Sequence, residues 1–561
     1  MNKPNSRVIF IIGGVMSGIG KGITTAALGS VLKASGYSVT ALKADPYINV
    51  DAGTMNPVEH GEVFVTDDGL ETDQDLGNYE RFLNTNLTAA SSITTGQIYL
   101  NVIQRERNLE YQGRCVEAVP DIPEEIMRRI ELLAASSKAD FVIVEIGGTV
   151  GEYQNLIFFE SARLMRLNDP KRVATVLVSY LPTPSTLGEM KTKPTQHAVR
   201  LLNEAGIQPD FVVARAIGLI DGPRKEKIAR FCNVAKANII AAPDARSIYE
   251  TPLLMARHGF GAAILKHFGL KAKGHDFKGW RSLVAKIQRP APEVKIGIVG
   301  KYFKTGRFTL ADSYISVIEA IRHAAWALGV KPVIEWLNCD DYERDPARLK
   351  ELGAYEGIII PGGFGKRGVE GKILAAGYAR QHKIPFLGLC YGMQMAVIEF
   401  AREVLKYERA NTTEADPKTR YPIFDLMPEQ STLTREKHFG GTMRLGGYEC
   451  ALSPGSVSWA LYKKRLIRER HRHRYEFNNE YRPAFEKAGL RFTGLNPERN
   501  LVEIVELPKH PFFVGTQFHP EFTSRPLAPQ PLFLGFIRAA KTRKKPADKA
   551  GRNQRPKQGR N

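Results

Sequence analysis

Two clusters in this 561-residue chain combine residue types at spacings that can do chemistry. One is Gly388-Leu389-Cys390-Tyr391-Gly392, which ends the apolar run IPFLG and opens a helix-like stretch. A sharp strand-to-helix turn exposes a nucleophile, flanking glycines relieve crowding, and the helix N-terminus lowers the thiol pKa. Far downstream, TQFHPEF supplies His519 and Glu521, two residues apart, so that both can serve one site. Cys390, His519 and Glu521 then read as nucleophile, general base and orienting acid. The turn in GIIIPGGFG offers backbone N–H groups near Gly362 and Gly363 to a developing oxyanion. A lone cysteine is more often a small buried hydrophobe, and that reading holds for Cys115, Cys232, Cys339 and Cys450.

The other cluster is RVIFIIGGVMSGIGKG, residues 7–22, a strand, a glycine-rich turn, a lysine and then a helix. Such a loop curls its N–H groups inward, the helix dipole adds positive potential, and Lys21 reaches phosphate oxygens. The spacing departs from the standard loop: five residues separate Gly14 from Gly20, and Gly22 replaces the Ser/Thr that would touch magnesium. Carboxylates must then hold the metal. Asp75 lies in the acidic run DDGLETDQDLG, and Glu145 closes the apolar strand DFVIVEIGG, where a charge needs a partner. KTKPTQH offers Lys191 and Lys193 before a Pro-started helix, a second anion site on a weak signal, with a solvated basic turn as the default. In ERHRHRYEFNN, the three arginines interleaved with His471 and His473 repel a cation, which favours an anion or carboxylate over a metal.

The elements that must position these residues have one grammar in both halves. Short β-branched runs alternate with helical segments: RVIFIIGG, YSVTALKAD, DFVIVEIGG, ATVLVSY and DFVVARA first, then VKIGIVG, KPVIEWL, GIIIPGG and IPFLGLC. This predicts α/β architecture with two doubly wound, mostly parallel-sheet domains. The pattern lapses around GWRSLVAKIQRPAPEV and resumes at Val294, giving expected domains 1–275 and 294–540 with a linker at 276–293. Residues 541–561 hold nine Lys/Arg and one Asp and are expected to form a disordered tail.

With 43% hydrophobic and 25% charged residues, the composition is that of a soluble globular protein. No run of about 18 apolar residues exists, so no membrane span is expected, and MNKPNSRVIFIIGG does not resemble a signal peptide. The five scattered cysteines argue against a disulfide framework or zinc site and for a reducing cytoplasm. The formal charge of +20 leaves open a nucleic-acid binder, a membrane-surface protein and an enzyme of polyanionic small molecules.

PGGFG, GLCYGMQ and QFHPEF, in this order, resemble the class I glutamine amidotransferases, which hydrolyse glutamine to glutamate and ammonia. GGVMSGIGKG, LKADPYINVDAGTMNPVEHGEVFVTDDGLETDQDLGNYERF, VEIGGTVGE and KTKPTQH resemble the CTP synthase family, as do GGTMRLG and RHRHRYE, so the likeness runs to about residue 540. The resemblance implies a P-loop-like amidoligase in which ATP phosphorylates O4 of UTP and ammonia displaces the phosphate. It implies ATP contacts at Ser17, Gly18, Ile19, Gly20, Lys21, Gly22, Lys43 and Asp75, with Mg2+ on Asp75 and Glu145. UTP or CTP would meet Ser17, Glu152, Tyr153, Gln154, Lys191, Thr192, Lys193, Pro194, Thr195, Gln196 and Lys227. L-glutamine would meet Gly363, Tyr391, Gly392, Met393, Gln394, Glu414 and Arg474, the last suited to its carboxylate.

The family further implies a cytoplasmic homotetramer, with filaments as a higher assembly, that GTP activates and CTP inhibits and that channels ammonia between its sites. One departure is Glu152-Tyr153-Gln154, where the family often has an acid, Ile and Glu; the missing second acid bears on CTP feedback, not on the reaction. A glutamine-dependent amidoligase with another acceptor is the nearest alternative. A basic nucleic-acid-binding or scaffold protein is a second, but it lacks clustered aromatics and leaves the triad unexplained, so nucleic acid is expected to meet the tail at most non-specifically.

Overall fold

A computed structural model describes residues 6–186, 188–301, 304–305, 308–309, 311–426 and 441–543. The apolar run at the start becomes β1 (Arg7–Gly13), buried on both faces at the centre of the first sheet, as a parallel strand covered by helices must be. Around it stand β2 (Val39–Asp45), β3 (Ser92–Thr94), β4 (Phe141–Ile146), β5 (Val173–Tyr180), β6 (Phe211–Ala216) and β7 (Ile239–Pro243). The order is β3-β2-β4-β1-β5-β6-β7 and every pairing is parallel. Strand order changes sides at β1, with β2 to β4 on one flank and β5 to β7 on the other, so its carboxyl end opens into the crevice where α/β sheets bind ligands. There the glycine-rich turn enters α1 (Lys21–Ala34).

Register explains how distant residues of this half meet. Lys43 of β2 stands opposite Glu145 of β4, and Asp45, two residues on, projects from the same face. Asp75 arrives from above on the first turn of α2 (Asp75–Leu83).

The second sheet is built from β8 (Glu293–Gly300), β9 (Lys331–Asn338), β10 (Gly357–Ile360), β11 (Phe386–Leu389), β12 (Arg444–Leu452), β13 (Leu466–His473), β14 (Arg491–Leu495), β15 (Val502–Glu506) and β16 (Phe513–Thr516). Its order is β9-β8-β10-β11-β16-β15-β14-β12-β13; pairings are parallel from β9 to β16 and antiparallel from β16 to β13. The architecture is α/β and, over the two sheets together, mostly parallel, as the alternation of runs predicts, although the second sheet pairs four times parallel and four times antiparallel. Leu389 lies opposite Thr516, so the residues leaving β16 come off beside the turn that leaves β11. That neighbourhood, not sequence distance, joins Cys390 to His519.

Two expectations need adjustment. The stretch 276–293, expected as a linker, contains α4 (Lys278–Gln288), whose Trp280 and Leu283 are buried and whose indole packs 5.3 Å from the Phe82 ring. Its exposed basic residues obscured the three- and four-residue spacing of Trp280, Leu283 and Ile287. At the other end, Lys541 and Thr542 complete the last helix (Pro531–Thr542), and Arg543 donates to the carbonyls of Gly353 and Tyr355. The rest of the expected tail, 544–561, lies outside the described residues.

The two halves are joined through β13. Its alternation sends Arg468, Arg470 and Arg472 toward the first half, where they meet Asp67 at 3.1 Å, Glu80 at 3.0 Å and Glu71 at 2.7 Å. Glu80 also accepts from Arg525 at 2.5 Å, and both it and Arg470 are fully buried. Desolvated pairs of this kind add little net stability but strongly penalise any arrangement that separates them, so they set the docking angle. Glu62 adds to the seam by accepting from the backbone N–H and hydroxyl of Ser316.

Candidate functional site

In the first half, the loop before α1 uses αL glycines, Gly18 at φ 69° and Gly20 at φ 85°, to turn its backbone. Ser17 and Gly18 are exposed at its tip, and Ile19 is buried in the core below. Lys21 donates to the carbonyl of Gly148 at 2.7 Å, and burial lowers its pKa. Beneath it lies an ionic knot. Lys43 donates to Asp75 and, at 2.9 Å, to Glu145, whose other oxygen accepts from the Tyr79 hydroxyl. Burial alone would lower the Lys43 pKa, but Asp75 and Glu145 hold it well above its ordinary value. Against burial, Lys43 keeps Asp75 below the usual carboxylate range.

Two further acids complete the set, and sequence reasoning gave neither of them a role. Burial, opposed by Lys43, pushes Asp45 up to about 6, and burial with the Asp75 charge pushes Asp73 up to about 7. Two buried acids, Asp45 and Glu145, and two half-buried ones, Asp73 and Asp75, thus gather around Lys43, a set of hard oxygen donors. Among the described residues no cluster of three or more His, Cys, Asp or Glu has metal-holding geometry. Asp75 and Glu145, which already converge on one ammonium group, nevertheless fit magnesium, which takes one or two carboxylates and fills its remaining positions with phosphate and water.

The glycine at position 22 now has a physical reason. A Cβ there would stand 2.2 Å from Asp75 Oδ1. The loop has given up its hydroxyl, and the carboxylate occupies that space. Gly22→Ser, which restores the hydroxyl of the standard loop but not its spacing, is therefore expected to lower ATP-dependent activity about 100-fold or more by displacing Asp75. The measurement is product formation with saturating ATP; wild-type turnover in the serine variant would contradict the packing argument.

KTKPTQH forms the entry to α3 (Lys193–Glu204), with Pro194 in its first turn. Thr195 Oγ1 lies 2.9 Å from Ser179 Oγ, which in turn stands 3.2 Å from where a Cβ on Gly14 would be, so this segment lies against the phosphate loop. Gln196 donates to Thr192 at 3.1 Å, Lys191 to Glu189 at 2.6 Å, and Lys193 and Lys227 are exposed. Glu152 accepts from the backbone N–H (2.9 Å) and hydroxyl (2.6 Å) of Thr149, and from Gln154 at 2.7 Å, while Tyr153 is 90% exposed.

In the second half, Cys390 sits between β11 and α5 (Tyr391–Glu403) at φ 50°, ψ −105°, a strained backbone for a residue with a side chain. The turn is feasible because its glycines admit backbone contact: a Cβ on Gly392 would stand 1.9 Å from the Ile360 carbonyl. His519 Nδ1 lies 2.7 Å from Glu521 Oε1, and its Nε2 has no hydrogen-bond partner. Burial opposes charge on the ring, but Glu521 and Cys390 raise its pKa to about 10. A Cβ on Gly362 would press on the His519 ring at 2.8 Å, so that glycine is needed for the base to approach.

A cavity of about 170 Å3 adjoins the thiol, lined by Gly363, Tyr391, Gln394, Glu414 and Arg474 among others. Glu414 accepts from Gly365 N–H at 2.6 Å, and Arg474 donates to Thr442 at 2.9 Å. Gly392 and Met393 are buried in the first turn of α5 rather than on this lining. His471 and His473 face away from the arginine side of β13, their near nitrogens 3.0 Å apart; burial holds both well below the ordinary pKa, next to Arg444, Glu476 and Glu503. A larger cavity of about 520 Å3 is bounded by Cys390, His519 and Glu521 on one side and by Gly53, Thr54, Met55 and Glu62 of the first half on the other. Burial raises Glu62 to about 7. Sequence reasoning gave Asp45, Asp73, Tyr79, Glu62 and Gln517 no role although each lies inside a family-like segment; register and packing show what they touch.

Two family models match the chain. Residues 7–270 match the family described as CTP synthase N-terminus, and residues 309–539 match class I glutamine amidotransferase. A CTP synthase of Cyanothece is 50% identical over 538 residues, covering 96% of each chain. Another, of Pyrococcus abyssi, is 50% identical over 545 residues, covering 97% of this chain and 99% of its own. Among solved structures, the glutaminase domain of Trypanosoma brucei CTPS with bound acivicin covers 45% of this chain and 95% of its own at 36% identity, with a TM-score of 0.41. Among the described residues no helix is long and apolar enough to cross a membrane.

Proposed function

The chain belongs to the CTP synthase family, and from that premise we propose how its own residues divide the work. The protein is a ligase that makes CTP with glutamine as nitrogen donor and ATP as energy source. We assign residues 1–275 to the synthase half and 294–540 to the amidotransferase half. The observation that carries the residue-level reading is the cavity of about 520 Å3 that the triad and first-half residues line together.

In the amidotransferase half, His519 Nε2 takes the thiol proton and Cys390 Sγ attacks the carboxamide carbon of glutamine. Backbone N–H groups at Gly363 receive the oxyanion, and His519 returns the proton as the C–N bond breaks and ammonia leaves. Water activated by the same imidazole then cleaves the thioester to glutamate. Glu414, Gln394 and Arg474 hold the substrate's ends; Tyr391, Gly392 and Met393 shape the turn that presents the thiol.

In the synthase half, Lys21, Lys43 and the 17–22 loop hold the ATP phosphates. Lys191, Lys193 and Lys227, with Thr192, Pro194, Thr195 and Gln196, receive the UTP triphosphate, and Glu152, Tyr153 and Gln154 meet its nucleoside end. O4 of the uracil takes the γ-phosphoryl group of ATP, ammonia adds at C4, and phosphate leaves, giving CTP, ADP and phosphate. Asp75 and Glu145 would hold Mg2+, which when bound offsets the phosphate charge.

GTP as activator, CTP as feedback inhibitor and a homotetramer able to stack into filaments complete the proposal. Its support is the family itself and the first-half apolar side chains left in solvent, among them Leu219, Phe231 and Tyr153. The five unpaired cysteines suit a cytoplasmic location. The test is the purified chain with UTP, ATP, magnesium and glutamine, with and without GTP. CTP and glutamate are expected in equal amounts, faster with GTP, and absence of CTP overturns the reading.

A further inference from the structure

One buried side chain touches the nucleophile without belonging to the triad. Gln517, fully buried, leaves β16 two residues before His519 and is anchored by its own N–H to the Glu503 carbonyl at 2.8 Å. Its Nε2 donates to Cys390 Sγ at 3.6 Å, and its Oε1 accepts from Gln394 Nε2 at 3.3 Å. Gln394 Nε2 also donates to the Tyr475 carbonyl at 3.4 Å. That last contact fixes the direction of the whole relay. A backbone carbonyl can only accept, so it holds the Gln394 amide with its N–H2 toward Gln517, which turns the Gln517 oxygen toward Gln394 and its N–H2 toward sulfur.

The sulfur meets different partners in its two protonation states. As a thiol, its S–H points to the Arg472 carbonyl at 3.8 Å, an acceptor that gives a thiolate nothing. The Gln517 donor favours the charged form. We propose that Gln517 is a further catalytic residue of the glutaminase site, donating its carboxamide N–H to Cys390 Sγ so that the thiolate forms and is aimed when the proton passes to His519. The inference rests on Cys390 being the nucleophile. It assigns Gln394 a second task, since the side chain that lines the substrate cavity also orients the donor to the thiol.

The test is the rate at which iodoacetamide alkylates Cys390, followed by mass spectrometry of the Cys390 peptide across pH, in wild type and Gln517→Leu. Removing a hydrogen bond to a charged group is expected to move the inflection to higher pH and slow alkylation at neutral pH about 10- to 100-fold. Glutamine turnover should fall by a similar factor in kcat with KM little changed, because the contact is to sulfur rather than to substrate. Gln517→Glu, which puts an acceptor and a charge beside the sulfur, should move the inflection further than leucine does. Ammonium-dependent CTP formation in the same preparation, which does not use the thiol, reports folding; if leucine fails that check, Gln517→Met and Gln517→Glu are read by the same criterion. An unmoved inflection in a folded variant overturns the proposal even if kcat falls. Glutamine turnover by Cys390→Ala would instead overturn the nucleophile assignment, so the two failures are distinguishable.

Discussion

Cys390→Ala is expected to abolish CTP formation from glutamine, by about 10,000-fold or more, while formation from ammonium stays within about twofold of wild type. The size follows from the chemistry: without sulfur there is no thioester, and His519 has no proton to move. The selectivity follows from the architecture, because ammonia enters the synthase half as a reactant that Cys390 never touches. Structure also argues that the variant folds. Alanine keeps the Cβ that already tolerates φ 50° and adds no volume between Gly388 and Gly392. Glycine at the same place would confound the experiment by releasing backbone strain. Parallel assays with glutamine and ammonium chloride decide the matter, and loss of both activities in a folded protein would contradict the two-site reading.

Asp75→Asn should give the complementary pattern: synthesis lost with either nitrogen source, on the order of 1,000-fold, with alkylation of Cys390 unchanged. Asparagine keeps the shape but removes the charge that, with Glu145, raises the Lys43 pKa. Lys43 does not become a stranded buried cation, since Glu145 remains at 2.9 Å and Asp45 at 3.9 Å, so the loss should be catalytic rather than structural. Glu145→Gln is expected to behave alike. Its acid closes a strand beside β1, and the one carboxamide oxygen that glutamine keeps can accept from Tyr79 or from Lys43. Magnesium-dependent synthesis at the wild-type rate in either variant would remove that residue from the metal site.

What the sequence revealed and what it concealed divide along physical lines. The turn at Cys390 and the loop before Lys21 were legible because each combines local geometry with chemistry: an apolar run, glycines at fixed offsets, one reactive side chain. Glu145 was legible because a charge at the end of FVIVEI has to be answered, and Lys43 and Tyr79 answer it. The antiparallel strands were concealed because RLGGYECAL and LIRERHRH carry charges that are buried by pairing across the seam, as Arg470 is with Glu80, so their faces do not alternate apolar and polar. ERHRHR had suggested an anion or carboxylate partner. Arg470 and Arg472 do meet carboxylates, supplied by the other half of the same chain. Asp45, Asp73 and Gln517 lie inside family-like segments yet drew no role, because an acid or amide shows no chemistry of its own until register and packing bring its partners near.

The contact of Gly22 with Asp75 also bears on the history of the loop. A hydroxyl at position 22 and a carboxylate at position 75 claim the same volume, so neither can be judged alone. Return of the hydroxyl takes two changes, and the first of them, in either order, passes through a chain with a clash or with a missing acid. Such a pair acts as a ratchet. It makes the absence of Ser or Thr after Lys21 an inherited commitment, and it lets one glycine forecast an acid more than fifty residues away.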